Sequence, residues 1–158
     1  MRKKKARSLS PRPRKAYTLC REIRSAGRAV HAGSRRARRA FFHAHPQALP
    51  LYAALLCAVR ERCPDAVEKF CRTQISLSCG RVFACVSFLR VQPRSEMPPG
   101  SLVLTLCLPF PLSSPRVAAC VQPYPGRWTH HLVLASPADL NAELLSWLSI
   151  AVDFARRK

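Results

Sequence analysis

Acidic residues are scarce in this chain. It carries 8 Asp and Glu against 27 Lys and Arg in 158 residues, a formal charge of +19. Past residue 40 the acids are Glu61, Asp65, Glu68, Glu96, Asp139, Glu143 and Asp153, and they read as helix ends, loops or strand edges. No two of them fall inside a strand pattern, so the carboxylate dyad of a nuclease or glycosidase is not expected. Glycine is equally sparse, with 5 residues, and no Gly-rich loop is available to cradle a phosphate. Long apolar runs are missing too. The uncharged stretch Met97 to Pro115 holds five prolines, which excludes a bilayer-spanning helix there. The cysteines, eight in number, never fall in a Cys-x-x-Cys pair. The paired knuckle that holds tetrahedral zinc is therefore absent.

Those cysteines sit mostly among apolar neighbours, as in Leu55-Leu56-Cys57 and Phe83-Ala84-Cys85-Val86. They read as small hydrophobes in a reducing, cytoplasmic setting rather than as a disulfide framework. No metal or cofactor is expected.

The charge is unevenly distributed. Residues 1–40 hold 15 Lys and Arg and one acid, Glu22, for a net +14, while the remaining 118 residues carry only +5. Like charges at this density repel and offer little apolar surface to offset ordering, so 1–40 is expected to be a flexible basic arm. Its charge concentrates in Arg2, Lys3, Lys4 and Lys5 and again in Arg35, Arg36, Arg38 and Arg39. Between them Leu19, Ile23, Ala26 and Val30 share one helical face, a basic amphipathic pattern. Three readings are open for the arm: contact with nucleic acid or another polyanion through phosphates, a targeting segment, or an inert tail. The charged start is not followed by the apolar stretch of a secretory signal.

Residues 41–158 are expected to form one compact α+β domain. A helix is predicted from Pro46 to Arg62, with Leu51, Leu55, Leu56 and Val59 as its stripe. Strand patterns follow. Residues 66–72 are short and charged, as an edge strand is. Residues 73–78 alternate Ile75 and Leu77 against Gln74, Ser76 and Ser78, and 82–89 return after a Gly80 turn. Leu102 to Leu108 alternate again, 116–122 are extended, and 128–135 close the series after a turn over 123–126. The last helix is predicted from Ser136 as cap and Pro137 at the first position, with Asp139 completing a capping box. Leu140, Leu144, Trp147, Leu148, Ala151 and Phe154 form its apolar face. Consecutive strands joined by short turns predict an antiparallel sheet of five to six strands, one up-and-down layer with both helices on one face.

The segments Thr73-Gln74-Ile75-Ser76, Phe83 to Phe88, Ser114-Pro115-Arg116-Val117, Pro123 to His131 and Leu145-Ser146-Trp147-Leu148 occur in that order. Together they resemble a small, mainly bacterial family known as domain of unknown function 5655, over about residues 41–154. The run ending in Trp128-Thr129-His130-His131 is the most specific part. The resemblance implies a compact α+β domain and no established activity.

The chemistry-bearing residues gather near that run. On a strand Trp128 and His130 share one face, Thr129 and His131 the other. His130 is expected in the core with Trp128, and His131 on the opposite face. Gln74, Ser76, Ser87, Thr105, Thr129 and His131 are expected to share that second face if the register allows. Arg116 and Arg127 would add bidentate donors for an anionic group. The candidate ligand-binding set is thus Gln74, Ser76, Arg116, Arg127, Trp128, His130 and His131. The bland alternative is an ordinary solvated sheet face. A Cys85–His131 thiolate pair is the single nucleophile arrangement on offer, and packing explains each residue equally well. The sequence therefore reads as a non-enzymatic binding or accessory domain with a basic arm for nucleic acid. The alternative is a domain that binds or transforms a small polar molecule at the sheet face near Arg127 and His131.

Overall fold

A computed structural model describes residues 35–157. Helix α1 is Arg35–Phe41, a 3-10 turn Pro46–Ala48 leads into α2, Leu49–Arg62, and α3 is Ala142–Arg156. Between α2 and α3 run β1 (Val67–Phe70), β2 (Gln74–Cys79), β3 (Arg81–Ser87), β4 (Leu102–Leu108), β5 (Val117–Tyr124) and β6 (Arg127–Leu134). Every pairing is antiparallel. The expected fold class, an antiparallel sheet with a helix before it and another after it, is the fold observed.

The spatial order β1-β2-β3-β4-β6-β5 departs from a simple up-and-down layer. The chain leaves β4 through a proline-punctuated segment, passes over one strand position to form edge strand β5, and returns as β6 into the gap. Alternation within strands says nothing about which neighbour each strand takes, which is why the order was not legible. Two hairpin tips follow from glycine: Gly80 between β2 and β3 at φ +80° and Gly126 between β5 and β6 at φ +74°, both left-handed conformations that other residues resist. The second turn is tighter than expected, since β5 runs through Pro123 and Tyr124 and pairs Tyr124 with Arg127.

The core lies on one face of the sheet. Ile75, Val86, Leu104 and Leu132 pair in register across four strands, as do Leu77, Ala84 and Leu106 across three. Against them pack Leu55 and Val59 of α2 and Leu144, Leu148 and Ala151 of α3 in one continuous cluster. Each fully buried aliphatic side chain contributes about 1.5–3 kcal/mol. The start of α3 corrects one expectation. Ser136, Pro137 and Asp139 form a separate 3-10 turn, in which the Asp139 carboxylate accepts the amides of Ala135 at 2.7 Å and Ser136 at 2.9 Å. The true helix cap is Asn141, whose side chain accepts the Leu144 amide at 3.1 Å.

Helix α1 occupies residues read from sequence as the end of the arm. Phe41 and Phe42 meet Phe70, Phe88 and Tyr52 in an aromatic cluster with ring centroids 5.0–6.3 Å apart. Arg38 adds an electrostatic tie. Its guanidinium reaches Glu68 on β1 at 3.0 and 3.1 Å, and Tyr52 Oη donates to the same carboxylate at 2.6 Å, with Arg60 at 3.1 Å. Glu68 is 4% exposed, so the one acid in β1 is a buried anchor and not the edge-strand charge expected. Burial and the Glu68 carboxylate together push the Tyr52 phenol upward. The amphipathic stretch Leu19–Val30 and the charges Arg2, Lys3, Lys4 and Lys5 lie outside the described residues.

Candidate functional site

Because strand residues alternate, the same six strands present a second face away from α2 and α3. Register assembles it row by row. Ser76 lies opposite Cys85, Cys85 opposite Thr105, Thr105 opposite His131 and His131 opposite Ala119. In the neighbouring row Gln74 pairs Ser87, Ser87 pairs Val103 and Val103 pairs Val133. Cys107 pairs Thr129 in the next. The six small polar residues expected to share a face do share it.

This is not a solvated sheet face. Gln74, Ser76, Ser87, Thr105, Thr129 and His131 are 2–6% exposed, and Cys85, Val103 and Cys107 are buried with them, outside the hydrophobic core cluster. The groups hold one another. Gln74 Nε2 donates to Ser76 Oγ at 3.4 Å and to Cys85 Sγ at 3.8 Å, and Cys85 Sγ in turn donates to Ser76 Oγ at 3.8 Å. Thr105 Oγ1 and His131 Nδ1 share a hydrogen bond of 2.9 Å, whose direction follows the ring tautomer. Thr129 Oγ1 donates to the Val121 carbonyl at 3.1 Å.

The electrostatics follow from burial. Desolvation lowers the His131 pKa to about 4, with a smaller contribution from His130, so the ring is neutral at pH 7. Desolvation also pushes the Cys85 thiol up to about 12. Strand β4 stands between the Cys85 thiol and the His131 ring, and a thiol held protonated with no adjacent base is unsuited to nucleophilic attack.

The remaining expected site residues go elsewhere or to the border. Arg127 lies at the start of β6 on the polar face and reaches across β4, donating through Nη2 to the Val82 carbonyl at 3.0 Å and Cys107 Sγ at 3.2 Å. Trp128 and His130 lie on the helix-covered side, paired with Leu108 and Leu106. His130 Nε2 accepts the Leu112 amide at 2.9 Å, pinning the segment after β4. That bond places the ring proton on Nδ1, which is buried without a hydrogen bond, and desolvation lowers this pKa too. Arg116 is far from the polar face in role. It bonds the Asn141 side chain at 2.7 Å, the Asp139 carbonyl at 2.6 Å and Glu143 at 3.4 Å, bracing the start of α3. A groove of about 420 Å³ beside β5 is lined by Leu112, Ser113, Ser114, Pro115, Val117, Ala118, Ala119 and Cys120, none of them an expected site residue.

Cys85 and Cys107 are not among the expected ligand-binding residues, because their neighbours in sequence are apolar. The signal that finds them is parity: each is an even number of residues from a polar partner on its own strand, Cys85 from Ser87 and Cys107 from Thr105.

No curated protein and no solved structure matches the chain. A family model does, over residues 39–155, and its start inside α1 agrees with a folded unit that begins before Phe41. The chain belongs to the family described as domain of unknown function (DUF5655).

Proposed function

We propose that this domain is a non-enzymatic binding module and that the polar sheet face is its seat for a small polar ligand. One observation carries the reading. Neutral hydrogen-bonding side chains from β2, β3, β4 and β6 converge, largely dehydrated, on the side of the sheet opposite α2 and α3. Hydrogen bonds within the face offset the cost of dehydrating its polar side chains, and an apolar face would avoid that cost altogether. A site for a polar ligand explains why the cost is borne. The described residues of this face supply hydroxyls, an amide, a neutral imidazole and protonated thiols, which bind and orient but do not abstract protons. A cytoplasmic setting suits a domain in which no disulfide joins the cysteines of the described residues.

The test is a ligand-observed NMR screen of small polar compounds on the full chain, with hits mapped through Thr105 and His131 resonances. Hits that move both, and that weaken in Thr105→Val, support the reading. Hits confined to the α2–α3 side or to residues 1–40 overturn it.

A second reading concerns the arm. The net +14 of residues 1–40 favours nonspecific nucleic-acid contact. Binding to duplex DNA is expected to weaken steeply with salt and to weaken further when Arg2, Lys3, Lys4 and Lys5 are replaced by Gln. A salt-independent affinity removes this reading.

A further inference from the structure

The last arginines of the basic segment are not equivalent. Helix α1, Arg35–Phe41, turns by about 100° per residue. That spacing puts Ala37, Arg38 and Phe41, with Phe42 beyond them, on one side, and these are the side chains that the fold buries or half-buries. Arg35, Arg36 and Arg39 fall within about 100° of arc on the other side, and all three are exposed. Arg38 is spent inside the protein. It reaches both oxygens of Glu68 at 3.0 and 3.1 Å, and its guanidinium carbon stands 5.8 Å from the Tyr52 ring centroid.

A helix of this length is not stable alone in water. Here Phe41 packs on Phe70 and Phe88, Phe42 packs on Tyr52, and Arg38 is tied to β1, so the three exposed cations stand on backbone that is already ordered. Their charge is not neutralised locally. Among the described residues none of the three forms an ion pair. The acid that α1 meets, Glu68, is 4% exposed and is shared by Arg38 and Arg60. Arg60 comes from the end of α2 and keeps 58% of its side chain exposed, which adds another cation at the same corner. Residues 1–34, with 11 more Lys and Arg, lead straight into α1.

The chemistry around this corner selects its partner. The exposed side of α1 offers arginines and Ala40 and no large apolar side chain to enter a lipid surface, because Phe41 and Phe42 are turned into the core. Nor does it offer a platform on which the bases of a single strand stack. The exposed aromatic residues of the described domain are Phe110, between β4 and β5, and Tyr124, in β5 at the sheet edge opposite β1. Arg35 and Arg39 stand about 6 Å apart along the helix axis. A duplex carries one charge about every 1.7 Å of its axis, so each arginine can take its own phosphate.

We infer, on the nucleic-acid reading of the arm, that the exposed side of α1 is an ordered phosphate-contact plate for duplex nucleic acid, formed by Arg35, Arg36 and Arg39 with Arg60 at its border, and that Arg38 is not part of it. Contacts of this kind set how the folded domain sits on the duplex and carry no sequence information.

The experiment measures the affinity of the full chain for a short labelled duplex DNA by fluorescence anisotropy across a salt series. Replacement of Arg35, Arg36 and Arg39 together by Gln is expected to lower the slope of log affinity against log salt by about 2–3, close to one for each phosphate contact. Its melting temperature is expected to match wild type, since all three side chains are exposed. Replacement of Arg81, Arg94 and Arg157 by Gln removes the same charge from three separate exposed positions and is expected to leave the slope nearly unchanged. Equal losses in the two triple variants mean that net charge alone acts, and overturn the plate. Arg38→Gln is expected to lower the melting temperature and not the slope; a slope loss equal to that of Arg39→Gln overturns the exclusion of Arg38. Salt-dependent binding that falls when Arg2, Lys3, Lys4 and Lys5 become Gln, but not in the α1 triple variant, keeps the arm reading and overturns the plate. Absence of salt-dependent binding by the wild-type chain overturns both. Tighter binding to a single strand of the same sequence, or to phosphatidylserine vesicles, that is lost in the α1 triple variant overturns the duplex assignment.

Discussion

The two sides of the sheet are built from the same strands and taught by the same alternation, yet they bury different chemistry. On β4, Leu102, Leu104, Leu106 and Leu108 turn toward the helices, while Val103, Thr105 and Cys107 turn away. Both sets are almost wholly buried. The helix side is dry because α2 and α3 supply matching apolar stripes, and each leucine there contributes by leaving water. On the opposite side burial comes with hydroxyls, an amide, an imidazole and thiols that bond mainly to one another. Dehydration stabilises the first side and taxes the second, so a function is best sought on the second.

That contrast is broken or sharpened first by paired substitutions one residue apart. Leu104→Ala is expected to cost about 2–5 kcal/mol, the range for emptying a buried leucine site. Thr105→Val leaves the buried His131 Nδ1 without its partner and is expected to cost about 1–3 kcal/mol. Urea denaturation of both variants checks this. Similar losses from the two would show that the polar side is as structural as the core.

Acid is expected to act next most strongly, and through the polar side. Unfolded, His131 takes up a proton near pH 6.5, its ordinary range. Folded, it resists until about pH 4. The stability linked to its neutral form is intact above about pH 6.5 and falls as pH drops through that window. The loss is on the order of 2–3 kcal/mol by pH 4, at about 1.4 kcal/mol per unit. His130 contributes in the same direction. Denaturation midpoints of the wild-type chain and His131→Gln between pH 7.5 and about 4.5 measure it, with the variant expected to show the shallower decline. Parallel curves would place the acid sensitivity elsewhere.

The smallest expected effect distinguishes the end of the arm from the start of the fold. Arg38→Ala removes the two-pronged contact to buried Glu68 and is expected to cost about 1–2 kcal/mol, whereas exposed Arg36→Ala stays within about 0.5 kcal/mol. Thermal melts of the two variants compare them. Equal effects would mean that α1 adds nothing through Arg38.

Much of the polar face was legible because parity survives folding. Gln74 and Ser76 had to share a side, as did Thr129 and His131, and His130 had to oppose its neighbour. Arg116 shows where such reading ends. Its sequence neighbourhood suggests a ligand-facing cation, but its partners Asn141, Asp139 and Glu143 lie more than twenty residues away and only folding delivers them. Glu68 is a similar case. Nothing within β1 reveals that Arg38, Tyr52 and Arg60 converge on it from two helices.

By itself the order of residues determined the kinds of elements, the sidedness of each strand, the glycine turns and the concentration of positive charge before residue 41. These depend on local sterics and on patterns a few residues long. Tertiary structure alone decided that β6 inserts between β4 and β5, that the polar rows of four strands align, that the aligned face is dehydrated, and that Arg127 reaches across β4 to the Val82 carbonyl. Those outcomes depend on which distant segments meet, and the energies that choose among meetings are set by the whole assembled core.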